Sequence, residues 1–361
     1  MKPHMDRSSN YLVTGGAGFI GSHLVDALLG AGHGVVVLDD LTTGRQDNLV
    51  RARTNPRFRF CHGSVLDSPL VDRLVRECDT VVHLAAAVGV KLIVEQPLQS
   101  FITNTKGAEA VIDAAQRHDR RILIASTSEI YGKNSSGPLA ETSDRILGSP
   151  SVARWSYSTA KAVDEILACL YHQERGLRST VVRFFNTVGP RQSPAYGMVI
   201  PRFAGQAVRG EPLTVHADGR QRRCFLHVSD AVAALVLLLE HPGAVGETFN
   251  IGADGEISIR ELADRVIAQA GSASRVQHVS YAEAYGRGFE DMERRVPDTT
   301  KLHALTGWRP WCTLTDVIND AVRDARTAWG GEHQPALVPG APEQRLPGAH
   351  GFVAGTAAAG R

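Results

Sequence analysis

Tyr157 and Lys161 have residue types and a spacing that indicate chemistry. They stand four residues apart in WSYSTAK, at the start of a run with helical periodicity, so their side chains share one helix face. A phenol is a weak base at neutral pH because its pKa is about 10, but a neighbouring ammonium and a cationic ring would lower that pKa. Such a tyrosine can accept a hydroxyl proton while hydride leaves the same carbon. The alternative is a chance pair on a solvated helix.

A polar strand end precedes this pair in the chain. The apolar segment RILIAS predicts a buried strand, and it runs into STSEIYG, which contains Thr127, Ser128 and Glu129. Ligands of open parallel sheets bind beyond the carboxyl ends of the strands. A hydroxyl at this edge can therefore hydrogen bond to a substrate oxygen beside Tyr157. The alternative is that these side chains only cap the next turn.

A glycine-rich turn near the N-terminus predicts the site of a dinucleotide. In NYLVTGGAGFIG a short apolar strand is followed by Gly15, Gly18 and Gly21, and an amphipathic run begins at Phe19. The three glycines allow a tight turn, a close approach to a pyrophosphate and a close helix–strand contact, and the free N–H groups of the helix start face the anion. A tight turn without a ligand is the alternative.

The next predicted strand, GVVVLDD, ends with a carboxylate that favours NAD. Asp39 lies close to the offset of about 20 residues at which a carboxylate meets the ribose hydroxyls of NAD. A carboxylate there repels the 2′-phosphate of NADP. Arg45 weakens this preference, because an arginine a few residues further on can accept that phosphate.

Strands that alternate with helices predict the fold that positions these residues. The pattern indicates an α/β protein with a Rossmann-type doubly wound parallel sheet and a smaller α+β substrate lobe. We expect a flexible N-terminus at residues 1–9 and an NAD-binding domain at residues 10–188. Residues 189–330 are mainly the substrate lobe, with part of the chain returning to the first domain. Residues 331–361, rich in Gly, Pro and Ala, are predicted to be a disordered tail.

Composition limits the partners that we expect. The 39 Lys+Arg and 38 Asp+Glu residues give a net charge of +1, which indicates no general attraction to nucleic acid or to a membrane surface. The five cysteines are scattered without a CxxC pair, which argues against a zinc site or a disulfide framework and fits a cytoplasmic protein. No long apolar span and no signal sequence are recognised, so we expect a chain that is neither exported nor anchored.

Several motifs together resemble the extended short-chain dehydrogenase/reductase family. These motifs are TGGAGFIGS, the Asp39 strand end, HLAA at residues 83–86, STSEIYG, YSTAK and RFFNTVGPR. Within that family they resemble the nucleotide-sugar 4-epimerases, dehydratases and decarboxylases, over residues 10–325. The resemblance implies a UDP-sugar substrate, NAD held through the cycle, and a homodimer formed through two long helices at residues 97–118 and 156–175.

The resemblance also implies roles for particular residues. It makes Thr127, Tyr157 and Lys161 the catalytic hydroxyl, base and lysine. Ser64 stands where the family usually has an aspartate at the adenine. The residues assigned to NAD are Gly15, Gly18, Phe19, Ile20, Asp39, Ser64, Val65, Leu84, Ala85, Ala86, Asn104, Tyr157 and Lys161; those assigned to the substrate are Thr127, Ser128, Asn186, Arg191, Arg223, Arg295 and Asp298.

The family resemblance leaves the reaction open after oxidation at C4 of the sugar. RFFNTVGPRQ resembles the UDP-hexuronate 4-epimerases, in which Arg191 would grip the C6 carboxylate, so we first expect a UDP-glucuronate 4-epimerase. Glu129, ARWSYSTAK and RRCF resemble UDP-glucuronate decarboxylases, where Glu129 would be a catalytic group at C5. Further alternatives are a UDP-glucose 4-epimerase, a nucleotide-sugar 4,6-dehydratase and a non-catalytic NAD-binding protein. Intact Thr127, Tyr157 and Lys161 argue against the last.

Overall fold

The structure is a computed structural model that describes residues 8–88, 96–194, 198–285 and 290–333. The predicted flexible N-terminus and disordered tail lie almost entirely outside the described residues. The strands are β1 (Asn10–Thr14), β2 (Gly34–Asp39), β3 (Phe58–His62), β4 (Thr80–His83), β5 (Arg121–Thr127), β6 (Ser179–Phe184), β7 (Thr187–Val188), β8 (Leu213–His216), β9 (Arg222–Cys224), β10 (Leu226–His227), β11 (Thr248–Ile251), β12 (Glu256–Ser258), β13 (Val276–Val279) and β14 (Arg294–Arg295).

A seven-stranded sheet in the order β11-β6-β5-β4-β1-β2-β3 forms the centre of the molecule. All of its strand pairs are parallel. The inner strands carry apolar runs, such as VVV in β2 and ILI in β5, because both faces are covered. The predicted doubly wound α/β fold is confirmed. The order reverses between β1 and β4, so a crevice opens at the carboxyl ends of these strands, where ligands of such sheets bind.

Helices cover both faces of the sheet. The helices are α1 (Phe19–Gly30), α2 (Ser68–Arg76), α3 (Pro97–Arg117), α4 (Ser156–Arg175), α5 (Val199–Val208), α6 (Val228–Glu240), α7 (Ile259–Ala270), α8 (Tyr281–Tyr285), α9 (Thr300–Thr306) and α10 (Leu314–His333). Val13 packs into a cluster with residues of α1 and α6, whereas its neighbour Leu12 packs on the opposite face with residues of α2, α3 and α4. Within the described residues, no helix is long and apolar enough to cross a membrane.

A second core lies beside the sheet. Phe203 of α5, Leu262 of α7 and Ile318 of α10 are fully buried in it, and small sheets pair β7 with β10, β8 with β13, and β9 with β12 and β14. The chain does not stay in this lobe, because β11 returns to the main sheet and pairs with β6. Residues 198–201, Phe225 and Arg295 of this lobe line the crevice.

Candidate active site

The turn between β1 and α1 is built for a close backbone approach. Gly15 has φ +71°, and a Cβ on it would lie 2.7 Å from the Ala85 nitrogen. A Cβ on Gly21 would overlap the Gly15 carbonyl oxygen, so α1 lies directly against the turn. The helix start directs free N–H groups toward the crevice, which suits a pyrophosphate.

Asp39 ties the end of β2 to this glycine turn. Its Oδ2 accepts a hydrogen bond from the Ala17 nitrogen at 2.9 Å, and its Oδ1 accepts one from the Leu41 nitrogen at 2.8 Å. Burial raises the pKa of the Asp39 carboxyl, although these two N–H donors act to lower it. Arg45, which pairs with Asp47 at 3.3 Å, does not line the crevice. The turn and the carboxylate fit NAD.

The crevice encloses a cavity of about 450 Å³, a size typical of small-molecule sites. Most residues predicted from the sequence line it. Those expected at NAD are Gly15, Gly18, Phe19, Ile20, Asp39, Ser64, Val65, Leu84, Ala85, Ala86, Tyr157 and Lys161, and those expected at the substrate or as further catalytic groups are Thr127, Ser128, Glu129, Asn186 and Arg295.

Asn104 lies behind the cavity wall and supports it through hydrogen bonds. It is 2% exposed and does not line the cavity. Its Oδ1 accepts a hydrogen bond from the Ala87 nitrogen at 2.8 Å, and its Nδ2 donates to the Ala87 oxygen at 3.1 Å. Because Ala87 is part of the wall, Asn104 holds the segment after β4 in place.

Arg191 is not brought into the cavity. It has φ +69°, and its Nη2 donates to Asp26 Oδ2 of α1 at 2.7 Å. The left-handed backbone directs the side chain to α1, so the structure offers no C6-carboxylate clamp at this position.

Arg223 and Asp298, also expected at the substrate, do not line the cavity either. Arg223 is 6% exposed and donates to the Met292 oxygen at 2.7 Å and to Asp291 at 3.2 Å, which fixes the segment before β14. Asp298 accepts a hydrogen bond from the Thr300 nitrogen at 2.9 Å at the start of α9. Both side chains are occupied by contacts within the chain.

The end of β5 is hydrogen-bonded to the first turn of α4. Ser158 Oγ donates to the Glu129 carbonyl oxygen at 2.8 Å, and Thr127 Oγ1 accepts from the Glu129 nitrogen at 3.2 Å. These bonds fix Thr127 relative to Tyr157, the buried residue that directly precedes Ser158. The chain thereby brings together two predicted catalytic groups that lie 30 residues apart.

The protein groups alone raise the pKa of Tyr157, whereas the lowering expected from the sequence also called for a cationic ring beside the phenol. Burial is the main cause, and the carboxylates of Glu129 and Asp164 add to it. Lys161 does not supply an uncompensated charge, because its Nζ is 2.9 Å from Asp164 Oδ2. Without a cationic ligand the phenol therefore stays protonated.

Glu129 is clamped by two arginines. Arg154 Nη2 donates to Glu129 Oε1 at 2.9 Å and Arg154 Nη1 contacts Oε2, while Arg295 Nη1 donates to Oε1 at 3.3 Å. Burial acts to raise the pKa of Glu129, but the arginines outweigh it and hold the pKa at about 2. Glu129 is therefore a carboxylate at neutral pH.

Arg154 and Asp164 were missed by sequence reasoning. Arg154 lies in the 3₁₀ turn Ala153–Trp155, immediately before the catalytic helix, and a charge there has no periodic signal. Asp164 did carry a signal, because it falls seven residues after Tyr157 on the same helix face. Within the described residues, no group of His, Cys, Asp and Glu side chains is placed to hold a metal ion.

Comparison with known proteins identifies the family. The family model described as "NAD dependent epimerase/dehydratase family" matches residues 11–252, which is more than half of the chain. The chain belongs to this family and is an NAD-dependent enzyme, in agreement with the resemblance seen in the motifs.

Two sequence relatives and one solved structure show which members of the family this chain resembles. UDP-N-acetyl-alpha-D-glucosaminuronate decarboxylase of Bacillus cytotoxicus is 40% identical over 300 residues, 83% of this chain and 92% of the relative. UDP-glucuronic acid decarboxylase 1 of Arabidopsis thaliana is 36% identical over 315 residues, 87% of this chain and 69% of the relative. The structure of a dTDP-glucose 4,6-dehydratase from Streptomyces venezuelae with NAD bound aligns with a TM-score of 0.81 and 32% identity, over 89% of this chain and 98% of that one.

The expectation of a UDP-glucuronate 4-epimerase is wrong. A UDP-glucuronic acid 4-epimerase from Bacillus cereus is a structural neighbour with a TM-score of 0.78 but only 27% identity, over 88% of this chain and 99% of that one, whereas both sequence relatives above are decarboxylases. The expectation rested on the resemblance of RFFNTVGPRQ to the 4-epimerases. Arg191 of that motif, expected to grip the C6 carboxylate, instead pairs with Asp26.

Proposed function

We propose that this chain is an NAD-dependent decarboxylase of a UDP-hexuronate, with UDP-glucuronate as the first substrate to test. The observation that carries the proposal is Glu129, an ionised carboxylate in the cavity wall that two arginines hold beside Thr127. A 4-epimerase has no need of a carboxylate near C5 of the sugar. The decarboxylase relatives support the same choice.

The first step is oxidation at C4. Tyr157 accepts the C4 hydroxyl proton, and Thr127 offers a hydroxyl to the same oxygen. NAD, when bound, accepts a hydride from C4 and can return it. The C6 carboxylate is then part of a β-keto acid. The C5–C6 bond breaks, its electron pair moves into the C4 carbonyl, carbon dioxide leaves, and a proton adds at C5.

We assign Glu129 an electrostatic role in the second step. Loss of carbon dioxide turns an anionic carboxylate into a neutral molecule and moves the negative charge toward the oxygen at C4. A fixed carboxylate near C6 disfavours the charged starting state more than the product. Arg154 and Arg295 bring two positive charges to this one carboxylate and limit the cost of burying it, so the effect requires Glu129 to lie nearer to C6 than the two guanidinium groups.

The other end of the substrate is expected to meet Asn186 and Arg295. Both line the cavity, and Arg295 Nη2 donates to Asn186 Oδ1. An arginine and an amide side by side can bind a diphosphate. Arg295 would then face the diphosphate with one edge and Glu129 with another.

The substituent at C2 of the sugar is a separate question. The Bacillus relative is named for a sugar with an N-acetyl group, and the Arabidopsis relative for one without it. We therefore propose UDP-N-acetylglucosaminuronate as the second substrate to test.

We also propose that the enzyme is a homodimer through α3 and α4. Leu98 of α3 is 72% exposed, and Ile166 and Leu170 of α4 are 52% and 44% exposed. A second copy of the chain packed on these two adjacent helices would remove the exposed apolar side chains from water.

Proton NMR on the purified enzyme tests the proposed reaction. With NAD and UDP-glucuronate, we expect the anomeric signals of a UDP-pentose or its 4-keto precursor, together with release of carbon dioxide, and no signal with Tyr157→Phe. A UDP-hexuronate that keeps its carboxylate, or no turnover of either UDP-hexuronate, would contradict the proposal. Parallel samples with the N-acetylated substrate decide between the two sugars.

A further inference from the structure

A buried ion pair lies on the face of α4 that carries Tyr157. Lys161 Nζ donates a hydrogen bond to Asp164 Oδ2 at 2.9 Å, and the two side chains are 2% and 0% exposed. Lys161 lines the cavity, whereas Asp164 does not. The other carboxylate oxygen, Asp164 Oδ1, is buried and accepts no hydrogen bond from the described residues. Lys161 is thus the partner that this carboxylate meets.

The position of Asp164 calls for an explanation. It follows Tyr157 by seven residues and Lys161 by three, so all three share one face of α4. A buried carboxylate costs free energy, and a helix face turned to the core is usually apolar. If this position served only the stability of the fold, an apolar side chain would suit it better, because buried ion pairs contribute little to stability.

Other charged groups near the lysine do not replace Asp164. His83 of β4 faces Lys161 and stays neutral, because burial and the charge of Lys161 lower its pKa to about 3. Glu165, the next residue of the helix, is bound to Arg183 at 2.7 Å. Among the described groups around Lys161, Asp164 is therefore the one whose charge offsets the ammonium.

Four charged groups act on Tyr157 in addition to burial. Glu129 and Asp164 raise the phenol pKa, and Arg154 and Arg295 lower it. Glu129 and the two arginines largely satisfy one another. The isosteric substitution Asp164→Asn therefore removes the Asp164 charge without breaking the contacts of Glu129 with the two arginines.

We propose that Asp164 is a positioning residue of the hydride-transfer step, which fixes the Lys161 ammonium in the cavity wall and cancels its charge toward the bound nicotinamide. Oxidised NAD carries a cationic nicotinamide ring, whereas the ring of NADH is neutral. A neutral Lys161–Asp164 pair tolerates the cation, but an unpaired ammonium would repel it. The inference deepens the proposed function and rests only on its first step, oxidation at C4.

Equilibrium binding of NAD and NADH tests whether Asp164 cancels the charge of Lys161. Full-length protein is freed of bound nucleotide, and the dissociation constants of NAD and NADH are measured by calorimetry for the wild type and for Asp164→Asn. We expect NAD to bind about tenfold more weakly to the variant, with NADH affinity nearly unchanged. If the two forms weaken by the same factor, or if neither changes, Asp164 is structural only and the inference is wrong.

The pH dependence of turnover gives a second readout. Removal of the Asp164 charge lowers the pKa of Tyr157, so the rising limb of kcat/KM should move to lower pH by about one unit in Asp164→Asn. Glu165→Gln is the matched control, because it removes a carboxylate one residue away whose side chain is 10% exposed, and its profile and NAD-to-NADH ratio should not move. An unchanged profile in Asp164→Asn contradicts the inference.

Two further variants distinguish loss of the Asp164 charge from a folding defect. Asp164→Glu keeps the charge and should keep the wild-type ratio of the two dissociation constants. If Asp164→Asn does not fold, Asp164→Ser removes the charge and keeps an acceptor for Lys161, and the same ratio applies. The binding assay needs no sugar substrate, so a failure of the decarboxylase proposal in NMR leaves this test intact.

Discussion

Glu129 and Tyr157 lie in one cavity wall, and their pKa values are shifted in opposite directions. Burial favours the neutral form of both groups, but arginines on Glu129 outweigh it and nearby carboxylates on Tyr157 reinforce it. One group is therefore a fixed anion, and the other is a neutral phenol that becomes a base only when a positive charge arrives. This separation suits an oxidation at C4 that precedes loss of a carboxylate.

Replacement of the base should abolish turnover without emptying the cofactor site. For Tyr157→Phe we expect turnover to fall by about a thousandfold, because a positioned general base contributes about 10²- to 10⁴-fold. NAD affinity, measured by calorimetry, should stay within about threefold, since the ring is kept and only its hydroxyl is lost. Activity within tenfold of the wild type would show that another group takes the proton.

The clamp on Glu129 should make part of the stability depend on pH. The folded pKa of about 2 lies below the ordinary value of 4.5, so the contribution is complete above pH 4.5 and is lost as the pH falls toward 2. Between pH 5 and pH 3, we expect the wild type to lose about 2 kcal/mol through this group.

Urea unfolding at several pH values measures the effect. Glu129→Gln cannot titrate and should lack this part of the loss, whereas Glu174→Gln, at an exposed position of α4, should follow the wild type. Parallel curves for the wild type and Glu129→Gln would mean that the arginines do not hold the carboxylate in solution.

At the scale of elements, the site is formed where two strand–helix units meet. β1 and α1 supply the glycine turn, and β5 and α4 supply Thr127 and Tyr157. The close contact in the first unit depends on the missing side chain of Gly21, because a Cβ there would meet the Gly15 oxygen.

Two glycines of α1 provide a matched test of this contact. Gly21→Ala should force the turn away from the helix and weaken NAD binding by at least about tenfold, with a lower melting temperature. Gly30→Ala, at the end of the same helix with open space around it, should leave NAD binding unchanged and the stability equal or slightly higher. Equal effects of the two substitutions would argue against the packing role of Gly21.

The sequence predicted the units that local rules govern. Strand periodicity, the glycine spacing and the strand-end hydroxyls predicted the doubly wound sheet and part of the cavity wall. The family resemblance supplied other wall residues, such as Val65, Ala85 and Asn186. Arg154 and Asp164 were not predicted as site residues, because their partners depend on how β5 and α4 meet. Arg191 was misplaced because its left-handed backbone, which aims it at Asp26, has no marker in the residue type.

At the scale of the whole molecule, the proposed dimer depends on the exposed apolar residues of α3 and α4. Ile166→Asp puts a charge into the middle of that surface, which should shift sedimentation from a dimer to a monomer at micromolar concentration. Leu237→Asp, on the opposite side of the sheet and 37% exposed, is the control and should stay dimeric. A monomeric wild type, or a dimer that survives Ile166→Asp, would contradict the proposed interface.

The return of β11 to the sheet has a consequence for biosynthesis. A chain that has emerged only to residue 188 has β6 as an open edge, with backbone N–H and C=O groups ready to pair with another nascent chain. Phe249 and Ile251, which complete the core on that side, arrive only after α5, β8, β9 and α6 have been translated. The cofactor half is therefore not a module that can be cut out and grafted elsewhere, and a truncation before β11 should yield aggregates.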